Sequence, residues 1–377
     1  MSKCPCCFTD LPPAEAWMCA SGSCAPAKDA PRGVTGPVRT RERPAGGPRL
    51  PDAGSMTCES CQGAMVEVCT EPSCRFEFPP GWRETPSTCV VMAGARASGK
   101  SMYIAVLVKQ LEQFGELAGF RVSHATHASM MLYRTVYERP LFEQRGILAP
   151  TGRISSADAY QREPLVLDIA PRSGSRHYLV LRDVGGEDLE AASLDMENLR
   201  FMANADGVLF LFDPLSLPDV REQLLGLIPT PATQVSGEST AVLDNILRLI
   251  EGRRPRLALV LSKFDTLQAI RDVHGGDLSR IMQNTGAAFA REPALRGRYA
   301  EQDGQLLHEE IRSLLQWLGV GWLATAMERL SQQGIEQRFF AVSALGDSPD
   351  GAYLHDRGIA PFRCLDPIRW IVTGRAL

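Results

Sequence analysis

Residues 91–114 have the sequence VMAGARASGKSMYIAVLVKQLEQF, in which the spacing G-x-x-x-x-G-K-S separates two apolar segments. The run that leads into this spacing, TCVVMAG, is short and almost entirely apolar, which is typical of a buried strand. The run after it has apolar residues at helical spacing, namely Ile104, Leu107, Val108 and Leu111. The sequence therefore predicts a strand, a glycine-rich turn and a helix in direct succession.

The turn has the composition of a phosphate-binding loop. Its glycines let consecutive backbone amides face one anion, while Lys100 can reach the β and γ phosphates of a nucleotide. The Ser101 hydroxyl is placed to ligate Mg²⁺. We expect a nucleoside phosphate to be held by Gly94, Ala95, Arg96, Ala97, Ser98, Gly99, Lys100 and Ser101.

Five more strand-like runs follow the first, and helical segments separate most of them: EPLVLDIAP, RHYLVLRD, GVLFLFDP, RLALVLSKFD and RFFAVSAL. Strands that alternate with helices predict an α/β fold, a mostly parallel sheet with helices on both faces. Only RSGSR joins the first two of these five runs, which is too short for a crossover helix. We therefore expect that pair to form an antiparallel hairpin.

Polar residues stand where several of these strands end, at the sheet edge where open α/β sheets bind ligands. Asp183 and Gly186 have the D-x-x-G spacing in which a carboxylate holds Mg²⁺ through water and a glycine amide meets the γ-phosphate. The Asp265 carboxylate can accept both hydrogen bonds from the guanine N1 and N2 edge, a donor pair that adenine lacks. The residues expected around the base are Ser262, Lys263, Asp265, Ser343, Ala344 and Leu345.

A hydroxyl from the segment before EPLVLDIAP should complete the magnesium site in the triphosphate state. Thr151, Ser155 and Ser156 all qualify, and we select Thr151. The predicted magnesium ligands are then Ser101, Thr151 and Asp183. His124 and His127 have no companion residues at a metal-binding spacing, so we interpret them as surface or core residues.

Five motifs of this sequence together resemble those of the bacterial double-GTPase family, a relative of translation-factor and Ras-like GTPases: GARASGKS, DVGGED, SKFD, VSALG and, near the C-terminus, DPIRW. The resemblance covers nearly the whole chain, including a cysteine-rich, zinc-ribbon-like N-terminus. It implies a P-loop GTPase fold with a six-stranded, mostly parallel sheet, one antiparallel strand and flanking helices. It also implies GTP binding and hydrolysis in bacterial multi-component conflict or signalling systems.

Three residues depart from ordinary GTPases. Ser262 replaces the usual Asn or Thr, and its hydroxyl can keep only part of the contact between the base loop and the phosphate loop. Glu187 stands where many GTPases have a water-orienting Gln, so a carboxylate either is repelled by the γ-phosphate or acts as a base toward water. Arg96 replaces a glycine, and its side chain either points to solvent or meets the phosphates or a partner. The candidate catalytic residues are Lys100, Glu187 and Arg96.

Ten of the eleven cysteines lie in the first 89 residues. The N-terminal sequence MSKCPCCFTDLPP has no continuous apolar run, so we expect no signal peptide and interpret the cysteines as metal ligands. Two units with C-x2-C and C-x4-C spacing predict two structural Zn²⁺ sites, each with four thiolates. The consecutive grouping is Cys4, Cys7, Cys19 and Cys24, then Cys58, Cys61, Cys69 and Cys74; an interleaved grouping of Cys4 and Cys7 with Cys58 and Cys61 stays open. The other three, interpreted as spectators or small apolar residues, are Cys6, Cys89 and Cys364.

Composition divides the chain into two regions. Residues 1–84 form the cysteine-rich, zinc-binding region with a flexible linker at about 25–55, and residues 85–377 form the GTPase domain with a helical insertion at about 266–337. The net charge of −4 gives no general reason to expect nucleic acid, although basic residues in the linker leave that partner open. No apolar run approaches the length of a membrane span, so we expect a cytoplasmic protein.

The leading hypothesis is a Mg²⁺-dependent GTPase that alternates between GTP and GDP and signals to a protein partner through its zinc arm or helical insertion. A second hypothesis is a nucleotide-binding scaffold that hydrolyses little and interacts through its zinc ribbons. An ATPase is a third, and Asp265 argues against it. All three predict a bound nucleotide, Mg²⁺ and two Zn²⁺ ions.

Overall fold

A computed structural model of the chain describes residues 2–19, 24, 39–42, 57–153, 163–172, 174–216, 218, 221–222, 239–272, 277–293 and 298–373. The chain divides into two compact units, Met1–Ser87 and Thr88–Leu377. No helix in the described ranges is both long enough and apolar enough to cross a membrane.

The first unit contains a three-stranded antiparallel sheet in the order β2-β1-β3, with β1 at Ala14–Cys19, β2 at Arg39–Glu42 and β3 at Met65–Val68. Trp17 and Met18 of the central strand are buried, but the apolar clusters around them are small. Within the predicted linker at 25–55, the structure describes only residues 39–42. These four residues form β2, whose pairing with β1 depends on backbone hydrogen bonds and needs no apolar periodicity in the sequence.

The second unit is built on a seven-stranded sheet in the order β10-β9-β8-β4-β7-β6-β5. Strands β4, β8, β9 and β10 pair in parallel, while β6 is antiparallel to both of its neighbours. The hairpin predicted from RSGSR is therefore confirmed. The strand bounds are β4 Ser87–Gly94, β5 Phe120–His124, β6 Leu165–Pro171, β7 His177–Asp183, β8 Gly207–Phe212, β9 Arg256–Leu261 and β10 Gln337–Ala341.

The sheet has seven strands and not the six that the resemblance implies. The added strand is β5, FRVSH, which lies at the sheet edge and pairs only with β6 among the described strands. Its side chains are half-buried or exposed, so its sequence lacks the apolar run by which the six predicted strands were found.

Helices connect and flank these strands. Their bounds in the described residues are α1 Lys100–Ala118, α2 His127–Leu132, α3 Gly186–Glu190, α4 Met196–Leu199, α5 Ser239–Leu249, α6 Phe264–Gln268, α7 Asp277–Met282, α8 Glu301–Trp317, α9 Gly321–Gln332 and α10 Asp366–Val372. A π-helix at Tyr133–Glu143 continues α2. In the predicted insertion, Leu307, Ile311 and Leu323 are buried, as expected for core-facing positions.

The core lies between the sheet and its helices. Every residue of β4 is buried, as are Ile104, Leu107 and Leu111 on the inner face of α1. This packing holds the turn between β4 and α1 at one end of the central strand. The turn is thus a short connection between two fixed elements, which suits it to position a ligand.

Candidate functional site

The turn from β4 to α1 requires glycine at its first residue. Gly94 has φ of 151°, and a β-carbon there would lie 2.5 Å from the Leu211 carbonyl oxygen. Gly99 has φ of 89° and precedes the first residue of α1. Both glycines let the backbone curl around the N-terminus of a 19-residue helix, where amides and the helix dipole favour anions.

Lys100 is buried at the base of this loop. Its ammonium group donates hydrogen bonds to the carbonyl oxygens of Gly94 (2.8 Å) and Ala95 (2.9 Å). Burial lowers its pKa to about 8, although the nearby carboxylates of Asp183 and Glu190 favour the charged form. A phosphate on the loop would favour that charged form as well.

Three hydroxyl and carboxylate groups from distant parts of the chain meet beside Lys100. The Ser101 Oγ lies 2.7 Å from the Thr151 Oγ1 and donates to the Asp183 Oδ2 at 3.0 Å, and the Thr151 Oγ1 donates to the same oxygen at 3.3 Å. Such an all-oxygen set could hold a hard cation such as Mg²⁺. The other two candidates, Ser155 and Ser156, lie outside the described residues.

Consecutive glycines after β7 pack against two other segments of the site. A β-carbon at Gly186 would lie 2.5 Å from the Arg96 backbone nitrogen, and one at Gly185 would lie 2.5 Å from the Gly152 carbonyl oxygen. Side chains at these two positions would push the segments apart. The start of α3 therefore contacts both the phosphate loop and the segment that carries Thr151.

Arg96 is anchored to α3, although 58% of its side chain is exposed. Its backbone N–H and its Nε donate to the Glu190 carboxylate at 2.7 and 2.9 Å, and its Nη1 lies 3.4 Å from the Glu187 Oε1. The Arg153 Nε donates to the other Glu187 oxygen at 2.9 Å. The Arg153 bond is the largest of the influences that hold the pKa of Glu187 below its usual value.

The Ser262 hydroxyl ties the end of β9 to the phosphate loop. It donates to the carbonyl oxygens of Ser98 (2.9 Å) and Phe212 (3.1 Å), and Ser262 is buried. The Ser262 hydroxyl therefore makes a contact between the base loop and the phosphate loop, as the sequence analysis expected in part.

The residues expected around the base follow the ends of two neighbouring strands, β9 and β10. Asp265 accepts a hydrogen bond from the Ser343 hydroxyl, which in turn accepts one from the Gly346 backbone N–H at 2.8 Å. Burial raises the pKa of Asp265, and the Ser343 bond opposes that rise. Lys263 has φ of 51°, and its ammonium lies 2.7 Å from the Asp213 carboxylate. Ala344 and Leu345 follow Ser343 in the adjoining loop and are half-buried.

Sequence reasoning did not single out Asp213, Glu190 or Arg153. Asp213 could have been found, because it ends the apolar run GVLFLFDP just as Asp183 ends RHYLVLRD. Glu190 lies four residues, about one helical turn, after Gly186. Arg153 carried no signal, since its role depends on where the segment after Thr151 lies.

In the first unit, the described cysteines form two tetrads whose sulfur atoms lie within 4.8 Å of one another. The tetrads are Cys4, Cys7, Cys69 and Cys74, and Cys19, Cys24, Cys58 and Cys61. The consecutive grouping is therefore wrong, and so is the interleaved alternative. The reason is the antiparallel pairing of β1 with β3, which sets Cys19 at the end of β1 opposite Met65 at the start of β3. Cysteines before β1 then meet those after β3.

The sulfur spacing fits zinc. A Zn–S bond of about 2.3 Å places the sulfurs of a tetrahedral site about 3.8 Å apart. The Sγ–Sγ distances are 3.7 Å for Cys4 and Cys74 and 3.6 Å for Cys7 and Cys69. In the other tetrad the Sγ–Sγ distances are 3.4 Å for Cys19 and Cys61 and 3.7 Å for Cys24 and Cys58. Both tetrads could hold a structural Zn²⁺ ion.

Comparisons with known proteins identify the family that this chain resembles and a relative that matches its full length. A family described as Double-GTPase 2 matches residues 89–318. A Mycolicibacterium smegmatis protein with the provisional name ESX-1 scaffolding and assembly protein SaeC is 44% identical over 384 residues, which cover 99% of each chain.

Two solved structures were also matched at low identity. The bacterial selenocysteine-specific elongation factor EF-Sec is 14% identical, with a TM-score of 0.24 over 67% of this chain and 25% of that one. The signal recognition particle receptor SRb-GTP/SRX complex from Chaetomium thermophilum is 13% identical, with a TM-score of 0.30 over 71% and 94%. Overlaps this loose carry no argument about function.

Paired substitutions test the cysteine grouping. We expect the unchanged chain to hold two zinc ions after dialysis, measured by inductively coupled plasma mass spectrometry. Cys19→Ser with Cys58→Ser removes two ligands of one tetrad and should leave one zinc, whereas Cys4→Ser with Cys19→Ser damages both tetrads and should leave none. The consecutive grouping demands the opposite result for the two variants.

The Ser262 contact is tested by Ser262→Ala, which leaves the buried Ser98 carbonyl without this donor. We expect the free energy of unfolding to fall by about 1 kcal/mol, measured by urea denaturation. Ser313→Ala is the matched control, because that exposed hydroxyl bonds only to the Glu309 carbonyl of its own helix. Equal free energies of unfolding for the two variants would show that the hydrogen bond from Ser262 to the Ser98 carbonyl does not stabilise the fold.

Proposed function

The chain belongs to the Double-GTPase 2 family, and we propose from this premise that it binds GTP and GDP with Mg²⁺ and hydrolyses GTP. The observation that carries the proposal is the meeting of Ser101, Thr151 and Asp183 beside the buried Lys100. The phosphate loop, which carries Lys100 and Ser101, supplies groups that bind the phosphates. The segments that carry Thr151 and Asp183 supply oxygen ligands for Mg²⁺, and in GTPases their positions depend on the terminal phosphate.

Guanine preference rests on Asp265. Its carboxylate is fixed by the Ser343 hydroxyl and stands near Lys263, whose aliphatic stem can cover one face of the base. Two acceptor oxygens match the N1 and N2 donors of guanine and would face the lone pair of adenine N1. Beside adenine this carboxylate would receive no hydrogen bond from the base, which disfavours ATP.

Hydrolysis depends on the charge around Glu187. Mg²⁺, when bound, would neutralise part of the phosphate charge. Arg96 and Arg153 flank the Glu187 carboxylate and offset its repulsion from a γ-phosphate. The carboxylate can then accept a proton from an attacking water, but it is a weaker base because Arg153 lowers its pKa. We therefore propose slow hydrolysis in the isolated chain.

A second candidate function is a nucleotide-binding scaffold with little hydrolysis. The M. smegmatis relative is named for scaffolding and assembly, and its likeness extends over the cysteine-rich unit as well as the GTPase unit. On this proposal the two zinc-binding tetrads support an interaction surface, and protein partners assemble on it. In both candidates the nucleotide state acts within a multi-protein bacterial system.

Nucleotide choice is tested by thermal shift with GTP, GDP and ATP, each with Mg²⁺. We expect GTP and GDP to raise the melting temperature and ATP to leave it unchanged. Asp265→Asn should lose GDP binding by about 100-fold and gain xanthosine diphosphate, because the amide donates to the xanthine 2-oxygen. Stabilisation by ATP and not GTP would show the base assignment to be mistaken.

Turnover distinguishes the switch from the scaffold. We expect measurable GTP hydrolysis that falls at least tenfold in Lys100→Ala, and that changes in Arg96→Ala and Glu187→Gln, assayed by phosphate release. Arg271→Ala is a matched control for Arg96→Ala, since it removes an exposed arginine that pairs with Asp272 on the helical insertion. GTP binding with no turnover in the unchanged chain would favour the scaffold.

A further inference from the structure

Glu190, the last residue of α3, contacts the phosphate loop through Arg96. One carboxylate oxygen accepts the Arg96 backbone N–H at 2.7 Å and the other accepts the Arg96 Nε at 2.9 Å. The Glu190 side chain is only 14% exposed, whereas that of Arg96 is 58% exposed. The carboxylate therefore lies on the inner side of this pair, where solvent screens it less.

The donors that hold Glu190 are of the kind that hold phosphates. Loop amides and guanidinium groups bind phosphate oxygens in nucleotide sites, and here one amide and one guanidinium bind a carboxylate. The negative charge also reaches the buried Lys100, because Glu190 is one of the two carboxylates that oppose the lowering of its pKa. Glu190 thus acts on the same positive groups that a terminal phosphate needs.

The helix that carries Glu190 also begins at the expected γ-phosphate contact. Gly186 is the first residue of α3, and its α-carbon packs so closely on Arg96 that a β-carbon would lie 2.5 Å from the backbone nitrogen. The two ends of this five-residue helix therefore both contact Arg96. A γ-phosphate beside the Gly186 amide would approach the Glu190 carboxylate as well as Arg96.

We propose that Glu190 is a specificity-determining residue that weakens GTP binding relative to GDP, because its carboxylate competes with the γ-phosphate for the Arg96 guanidinium. The inference rests on the proposed binding of guanine nucleotides. Two like charges that share one cation destabilise each other, and the γ-phosphate is the group that GDP lacks. The penalty therefore falls on the triphosphate.

This competition connects the nucleotide state to the position of α3. In the diphosphate state Glu190 keeps both bonds to Arg96 and α3 stays on the loop. In the triphosphate state the carboxylate loses part of that contact, which favours release of the C-terminal end of α3. A ligand shifts such an equilibrium only by its difference in affinity for the two arrangements, and the Glu190 charge supplies that difference.

The test uses the full chain with Glu190→Gln and Glu190→Ala. Dissociation constants for GDP and for a non-hydrolysable GTP analogue, each with Mg²⁺, are measured by isothermal titration calorimetry. We expect the ratio of the analogue constant to the GDP constant to fall about 3- to 10-fold in both variants, while GDP binding changes less than about twofold. Glu197→Gln, which removes an exposed acid from α4, is the matched control and should leave the ratio unchanged.

A variant of the anchor checks the route of the effect. In an Arg96→Ala background the carboxylate has no guanidinium to hold it, so Glu190→Gln should change the ratio less than about twofold. An equal effect in both backgrounds would overturn the competition for Arg96.

Other outcomes separate the role of Glu190 from the proposed binding of guanine nucleotides. An unchanged ratio, equal loss of both nucleotides, or the same shift in Glu197→Gln overturns the role of Glu190 while leaving guanine nucleotide binding intact. Failure of the unchanged chain to bind either nucleotide overturns the proposed function itself.

Discussion

The phosphate loop is organised around one buried positive charge. An ammonium group removed from water is costly unless the protein replaces its hydration, and Lys100 meets that requirement with the carbonyl oxygens of Gly94 and Ala95. Both carbonyls point toward the ammonium where the chain turns at Gly94, the last residue of β4, which has a positive φ. Asp183 then lies close enough to favour the charged lysine, so the end of β7 is tied to the same point.

Motifs at strand ends could be predicted because they depend on local chemistry and on one topological rule. In a mostly parallel sheet, residues that follow the central strands share an edge, so Ser101, Asp183 and Asp265 were placed together without knowledge of their contacts. Strand β5 could not be predicted, since its pairing with β6 is made by backbone at a half-exposed edge. The Arg96 to Glu190 contact was equally hidden, because it joins residues 94 positions apart by the path of a loop.

The cysteine-rich unit shows the same limit in another form. Its spacing identified eight thiols correctly as two tetrads but not which thiols share a tetrad. The grouping is determined by the antiparallel register of β1 and β3. This register brings Cys58 and Cys61, before β3, close to Cys19 at the end of β1. It also brings Cys69 and Cys74, after β3, close to Cys4 and Cys7 before β1. With apolar clusters as small as those around Trp17 and Met18, metal binding would supply the stability that burial does not.

On the proposed function, Glu187 and Glu190 place two carboxylates near the γ-phosphate. Both carboxylates pair with arginines, Arg96 and Arg153. The charges balance only as a set: removing Arg153 exposes the Glu187 carboxylate to the phosphate, and removing Glu190 frees the Arg96 guanidinium for it. Because the four residues come from the phosphate loop, the Thr151 segment and α3, the balance couples all three segments. A substitution in one segment is therefore expected to alter the electrostatics of the other two, which a site built from isolated motifs would not do.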